Sequence, residues 1–123
     1  MAAGRTVMLI DDNVDFLSIA SEALDMLGYA VEALSDPDRA LVRVAEGPAF
    51  DILVVDLNLG PGPSGRHLAE AALAARPGLP VILLTGAADP QHDHGPAITE
   101  VVAKTAGILA LKAALERVSA PRA

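Results

Sequence analysis

Four short runs of apolar residues constrain this chain most: Val7-Met8-Leu9-Ile10, Ile52-Leu53-Val54-Val55, Val81-Ile82-Leu83-Leu84 and Val101-Val102-Ala103. Polar or turn residues bound each run. A strand with one wet face alternates apolar and polar residues, whereas an unbroken run fits a strand buried on both faces, as in a parallel sheet covered by helices. Tyr29 to Leu34 is a weaker fifth candidate. Helical patterns fill the intervals. Val14 to Leu27 carries apolar residues at helical spacing and stops at Gly28, suited to the C′ position. Asp36-Pro37 reads as an N-cap followed by a first-turn proline, opening a helix to about Glu46. Gly65 to Ala75 is Ala-rich and halts before Arg76-Pro77-Gly78, and Thr105 is placed to cap a last helix over Ala106 to Val118. The order β-α-β-α-β-α-β-loop-β-α predicts an α/β fold with right-handed crossovers and a doubly wound parallel sheet. The stretch GAADPQHDHGPAIT after Thr85 breaks the rhythm; its two prolines and two glycines predict a loop where a crossover helix would stand.

Composition narrows the function. The 123 residues amount to one domain, residues 1–123 with a core over about 6–118, and no output domain is expected within them. A net charge of −7 and three aromatic residues (two Phe, one Tyr) argue against binding a nucleic-acid backbone or stacking on bases. With no cysteine there is no disulfide framework, thiolate metal site or thiol nucleophile. No apolar run approaches the roughly 18 residues of a membrane span, and the four apolar residues before Asp11 are too few for a signal peptide. A soluble, cytoplasmic protein is the default expectation.

In open α/β sheets, ligands bind beyond the carboxyl ends of the strands. The first run is followed by Asp11-Asp12; the others lead to Asp56, Thr85 and Lys104, the last being one of two lysines in the chain. A lone aspartate at a strand end is ordinarily a cap or turn residue, and Asp11-Asp12 alone reads as a helix N-terminus. Their coincidence at four strand ends points to a site. Three carboxylates so placed repel unless a hard cation neutralises them, and oxygen-only donors favour Mg²⁺, which readily shares itself with a phosphate. Lys104 adds a positive charge, Thr85 a donor, and the amides around Gly86 can face an anion. The set reads as a receptacle for a phosphoryl group with Asp56 as carboxylate nucleophile, driven by positioning and charge neutralisation.

With Asp11-Asp12, "LVVDLNL" around Asp56, "VILLTG" around Thr85 and "VVAK" ending at Lys104, the chain resembles the receiver domain of two-component response regulators over roughly Thr6 to Val118. The resemblance implies a flavodoxin-like, five-stranded parallel sheet in the order 2-1-3-4-5. It implies Asp56 as phosphoacceptor and direct Mg²⁺ binding by Asp12, Asp56 and the Asn58 carbonyl, with Asp11 acting through a metal-bound water. Mn²⁺ is a possible substitute. Thr85 and Lys104 are implied as ligands of the phosphoryl oxygens. The implied donor is a phosphohistidine on a sensor histidine kinase or phosphotransfer protein, with acetyl phosphate as a small substitute. No external substrate is expected, so the chain is not read as an enzyme; it would signal to an unidentified protein target.

The chain departs from the family pattern in four places. Thr105 follows the lysine where a cis proline is usual, so a trans peptide is expected. Val101 stands where an aromatic switch residue is common. The loop Gly60-Pro61-Gly62-Pro63-Ser64-Gly65 brings its glycine one residue late. The fourth helix of the family is expected to be short or absent in the segment from Gly86 to Ile98, which is read as a loop that orders on phosphorylation. Ala87 cannot orient water, which hints at slow loss of the phosphoryl group. His92-Asp93-His94 reads as solvent-facing rather than metal-binding. Helix one has two apolar stripes, Leu17-Ala20-Leu24-Leu27 and Phe16-Ile19-Ala23-Met26, and the less buried one is either core or a kinase-docking patch. Two rivals remain: a receiver-like interaction module that works without phosphorylation, and a Mg²⁺-dependent phosphatase with an aspartyl nucleophile. The phosphatase would need a second acid where Asn58 stands.

Overall fold

The apolar runs become the strands of one parallel sheet. The computed structural model describes residues 5–46, 50–57, 59, 62–86 and 97–119. In chain order the elements are β1 (Thr6–Ile10), α1 (Val14–Met26), β2 (Ala30–Leu34), α2 (Pro37–Ala45), β3 (Ile52–Asp56), α3 (Gly65–Ala75), β4 (Val81–Thr85), β5 (Glu100–Ala103), a 3₁₀ turn (Lys104–Ala106) and α4 (Ile108–Ser119). The sheet order is β2-β1-β3-β4-β5, with every neighbouring pair parallel, as expected. Crossovers therefore place helices on both faces, which is why β1, β3 and β4 tolerate no polar residue in their interiors.

Strand alternation divides the core in two. Met8, Ile10, Leu53, Val55, Val81 and Leu83 point to α2 and α3, where Ala40, Val44, Leu68 and Ala72 meet them. Val7, Leu9, Ile52, Val54, Ile82 and Leu84 point to α1 and α4, against Leu17, Ala20, Leu24, Leu111 and Leu115. β2 is one of the two edge strands and only partly buried, which explains its weaker apolar signal. It carries Glu32, which takes two hydrogen bonds from the Arg43 guanidinium of α2, both at 2.8 Å.

Local chemistry sets the helix ends. The Asn13 side chain caps α1, and the Asp36 side chain caps α2 ahead of Pro37. Gly28 takes φ 98° after α1. The Gly28 and Tyr29 amides then donate to Asp25 and Leu24, closing the helix with a Schellman motif. Of the two α1 stripes, Leu17, Ala20 and Leu24 are buried, while Ile19 and Met26 are 63% and 82% exposed.

The last helix corrects an expectation. Thr105 does not cap it; Thr105 lies in the 3₁₀ turn, and α4 starts at Ile108 rather than Ala106. The reason is Gly107, whose φ of 88° is incompatible with a continuous helix and re-aims the chain. Residues 87–96 lie outside the described residues. So do the expectations for a short or absent fourth helix, for Ala87 and for His92-Asp93-His94, as do Asn58, Gly60, Pro61 and the C-terminal Pro121-Arg122-Ala123.

Candidate functional site

The carboxyl ends of β1, β3, β4 and β5 lie side by side. Asp11 continues the alternation of Val7 and Leu9, Asp56 that of Ile52 and Val54, and Lys104 that of Val102. The three groups meet at the sheet edge on the side of α1. Asp11, Asp56 and Thr85 are buried, and Asp12 is exposed at the mouth. One oxygen each of Asp11, Asp12 and Asp56 lies within 4.8 Å of the other two. At that spacing each pair of charges repels by about 3 kcal/mol at an effective dielectric of about 20.

Lys104 supplies part of the compensation. Its Nζ lies 2.7 Å from Asp11 Oδ2 and 3.6 Å from Asp56 Oδ2. Asp11 Oδ2 is balanced by this ammonium, while Oδ1 accepts from the Asn13 amide at 2.9 Å. Burial pulls the Lys104 pKa down, but the hydrogen bond to Asp11 and the charges of Asp56 and Asp11 outweigh it and leave it raised. Lys104 is therefore a fixed cation at neutral pH. One ammonium against three carboxylates leaves the cluster negative. The donor set is oxygen only, clustered and open at Asp12, which suits a hard divalent cation such as Mg²⁺.

Asp56 is held by its backbone as much as by charge. The Leu57 amide donates to the Leu84 carbonyl at 2.9 Å, and the Gly65 amide donates to the Leu57 carbonyl at 3.2 Å. Gly65, the first residue of α3, passes so close that an added Cβ would stand 2.1 Å from the Asp56 carbonyl oxygen. The late glycine of the loop is thus the residue that lets α3 pack under the end of β3. Ser64 caps that helix through its Oγ, which accepts from the His67 amide at 3.1 Å.

The structure brings Asp11, Asp12, Asp56 and Lys104 together, with Thr85 and Gly86 closing the adjacent strand; Asn58 lies outside the described residues. The Lys104–Thr105 peptide is trans, as expected. Val101 is half-buried and packs toward the α2 and α3 core. One neighbour escaped the sequence reading: Phe16, whose ring centroid lies 4.7 Å from Lys104 Nζ. Its helical spacing marked it only as a stripe residue.

Comparison with known proteins bears on this arrangement. The sequence model of the response regulator receiver domain matches residues 7–116. The C4-dicarboxylate transport transcriptional regulatory protein DctD of Rhizobium meliloti is 34% identical over 89 residues, covering 72% of this chain and 19% of DctD. The chain spans between 19% and 46% of the length of the curated relatives it matches. The chemotaxis protein CheY4 of Vibrio cholerae superposes with a TM-score of 0.82 at 27% identity, covering 94% of this chain and 99% of that one. A response regulator of Burkholderia pseudomallei, solved with a phosphorylated aspartic acid, a calcium ion and citrate, gives a TM-score of 0.76 at 28% identity, covering 90% of this chain and 66% of that one. Among the described residues, no helix is long and apolar enough to cross a membrane.

Proposed function

We propose that this chain, which belongs to the response regulator receiver domain family, accepts a phosphoryl group on Asp56 and passes the signal on through protein contacts in the cytoplasm. The donor is a phosphohistidine of a sensor histidine kinase or phosphotransfer protein, with acetyl phosphate as a small substitute. One observation carries the reading: a buried carboxylate at a strand end, with two further carboxylates within 4.8 Å and an ammonium at 3.6 Å. The phosphorylated aspartic acid of the Burkholderia pseudomallei relative supports it.

A carboxylate oxygen of Asp56 attacks phosphorus in line. The bond from phosphorus to the donor nitrogen breaks, the imidazole keeps the electron pair, and an aspartyl phosphate forms. Asp12, Asp56 and the Asn58 carbonyl would hold Mg²⁺ or Mn²⁺ directly, with Asp11 acting through water. The ion supplies neutralisation of the charge on the phosphoryl oxygens. Lys104, 2.7 Å from Asp11, has only to swing toward Asp56 to meet an incoming phosphoryl oxygen. Thr85 and the Gly86 amide donate to the other oxygens. Hydrolysis of the aspartyl phosphate resets the site without any external substrate.

Intact mass after incubation with Mg²⁺ and acetyl phosphate tests the reading. A gain of one phosphoryl group, absent from Asp56→Asn and abolished by chelation, is the expected result. The second reading, a phosphorylation-independent module, draws on Val101 and Thr105 and predicts no gain at all.

A further inference from the structure

Lys104 has a long stem and lacks the proline that would fix the backbone beside it. Its ammonium nevertheless takes a defined place, with the side chain 22% exposed. Two of its neighbours are carboxylates. The third is the face of Phe16, with the ring centroid 4.7 Å from Nζ, well inside the range of a cation–π contact. Phe16 is itself tied to the acidic cluster. Its amide donates to Asn13 Oδ1 at 3.1 Å, and the Asn13 amide donates to Asp11 Oδ1 at 2.9 Å. Asp11 in turn binds Lys104 at 2.7 Å. The contacts run in a closed circuit: Asp11, Asn13, Phe16, Lys104 and back to Asp11. The other two aromatic residues, Tyr29 and Phe50, are buried in the core, so this is the one aromatic side chain placed beside the site.

We propose that Phe16 is a positioning residue for Lys104: its ring face holds the ammonium over the acidic cluster, within reach of Asp56. An aromatic face offers no lone pair, so it anchors the lysine without competing for oxygen donors that a divalent cation needs. If Lys104 leaves Asp11 to meet a phosphoryl oxygen, the ring still limits where the ammonium can go. The role of the lysine in phosphoryl transfer rests on the function proposed above; the contact does not.

The test uses protein carrying ¹³C-labelled lysine. Only Lys104 and Lys112 report, and Lys112 is the internal control. In the metal-free wild type, the ring current of Phe16 is expected to move the Lys104 ε-methylene protons upfield of those of Lys112. Phe16→Leu keeps an apolar side chain of similar bulk and should collapse that difference; Phe16→Tyr and Phe16→Trp should retain it. The rate of phosphorylation by acetyl phosphate at saturating Mg²⁺ should fall about two- to fivefold in Phe16→Leu, the size of a partly exposed cation–π contact, and recover in the Tyr and Trp variants. The shift establishes only that the ring lies against the lysine; a ring that merely packs there would leave the phosphorylation rate of Phe16→Leu unchanged. Coincident Lys104 and Lys112 signals in the wild type would overturn the proposal. So would a Phe16→Leu protein phosphorylated at the wild-type rate. Absence of phosphorylation in the wild type, with the upfield Lys104 signal present, would count against the phosphoacceptor reading and not against the contact.

Discussion

Replacing Gly65 with alanine should damage the fold and the site together. The added Cβ would stand 2.1 Å from the Asp56 carbonyl oxygen, 2.8 Å from its carbonyl carbon and 3.0 Å from Leu57 Cα. Real Cβ contacts rarely fall below 3.0 Å, so the oxygen or the helix must retreat from 2.1 Å by about 0.9 Å. Neither yields easily. The Asp56 backbone ends β3, which is paired on both sides by β1 and β4, and Gly65 is anchored through its amide to the Leu57 carbonyl. Overpacking of this kind costs about 1–3 kcal/mol. Alanine returns at most about 1 kcal/mol of helix propensity, and less at a first helical position. A net loss of about 1–2 kcal/mol follows, or roughly 4–8 °C in Tm for a domain of this size. Urea unfolding followed by circular dichroism reads the loss. Gly86→Ala is the control, because a Cβ there meets nothing within 4 Å; its stability should stay within about 0.5 kcal/mol. Because the retreat displaces the nucleophile, phosphorylation of Gly65→Ala should slow even where the protein is folded. Wild-type stability together with a wild-type phosphorylation rate would refute the close-approach argument.

Other perturbations have definite signs. Mg²⁺ should raise the unfolding temperature saturably, by the equivalent of about 2.7 kcal/mol at a hundredfold excess over Kd; differential scanning fluorimetry of Asp12→Asn should show a much smaller rise. Lys104→Met removes the cation lying 2.7 Å from Asp11. Calorimetry should therefore find Mg²⁺ bound more tightly, by about tenfold or more, because a unit charge and a doubly charged ion roughly 4 Å apart repel by about 2 kcal/mol even in water, while phosphorylation slows. The hydrogen bonds from Arg43 hold the Glu32 carboxyl below its ordinary range, against a smaller opposing effect of burial. A depressed carboxyl stabilises the fold above its unfolded value of about 4.3 and loses that contribution as pH falls through the folded value. Glu32→Gln should accordingly lower stability modestly at neutral pH, where that contribution is fully present, and flatten the acid limb of the stability profile.

The strand skeleton was legible because burial on both faces leaves an unmistakable unbroken apolar run, as at Ile52 to Val55. Edge strand β2 was fainter because Ala30 and Ala33 face solvent and Glu32 is carried in its middle. The end of β5 misled: Thr105-Ala106 looks like a cap and a first helical residue, but Gly107 adopts φ 88° and moves the helix start to Ile108. Site chemistry could be read from strand ends, since topology alone carries Asp11, Asp56 and Lys104 to one edge. Side-chain choices could not. That Lys104 sits closer to Asp11 than to Asp56 depends on three-dimensional spacing with no sequence signature. The same holds for Phe16, whose i, i+3 pattern is shared with any amphipathic helix, and for Gly65, whose need appears only when the Asp56 carbonyl is seen beneath it.

The central claim, that Asp56 is the acceptor among three neighbouring carboxylates, is tested most directly by locating the phosphoryl group. Protein treated with Mg²⁺ and acetyl phosphate is reduced with borohydride, which converts an aspartyl phosphate to homoserine, and the peptides are sequenced by mass spectrometry. Homoserine at position 56 alone is the predicted result. Homoserine at position 11 or 12, or none anywhere in phosphorylated protein, would contradict the account.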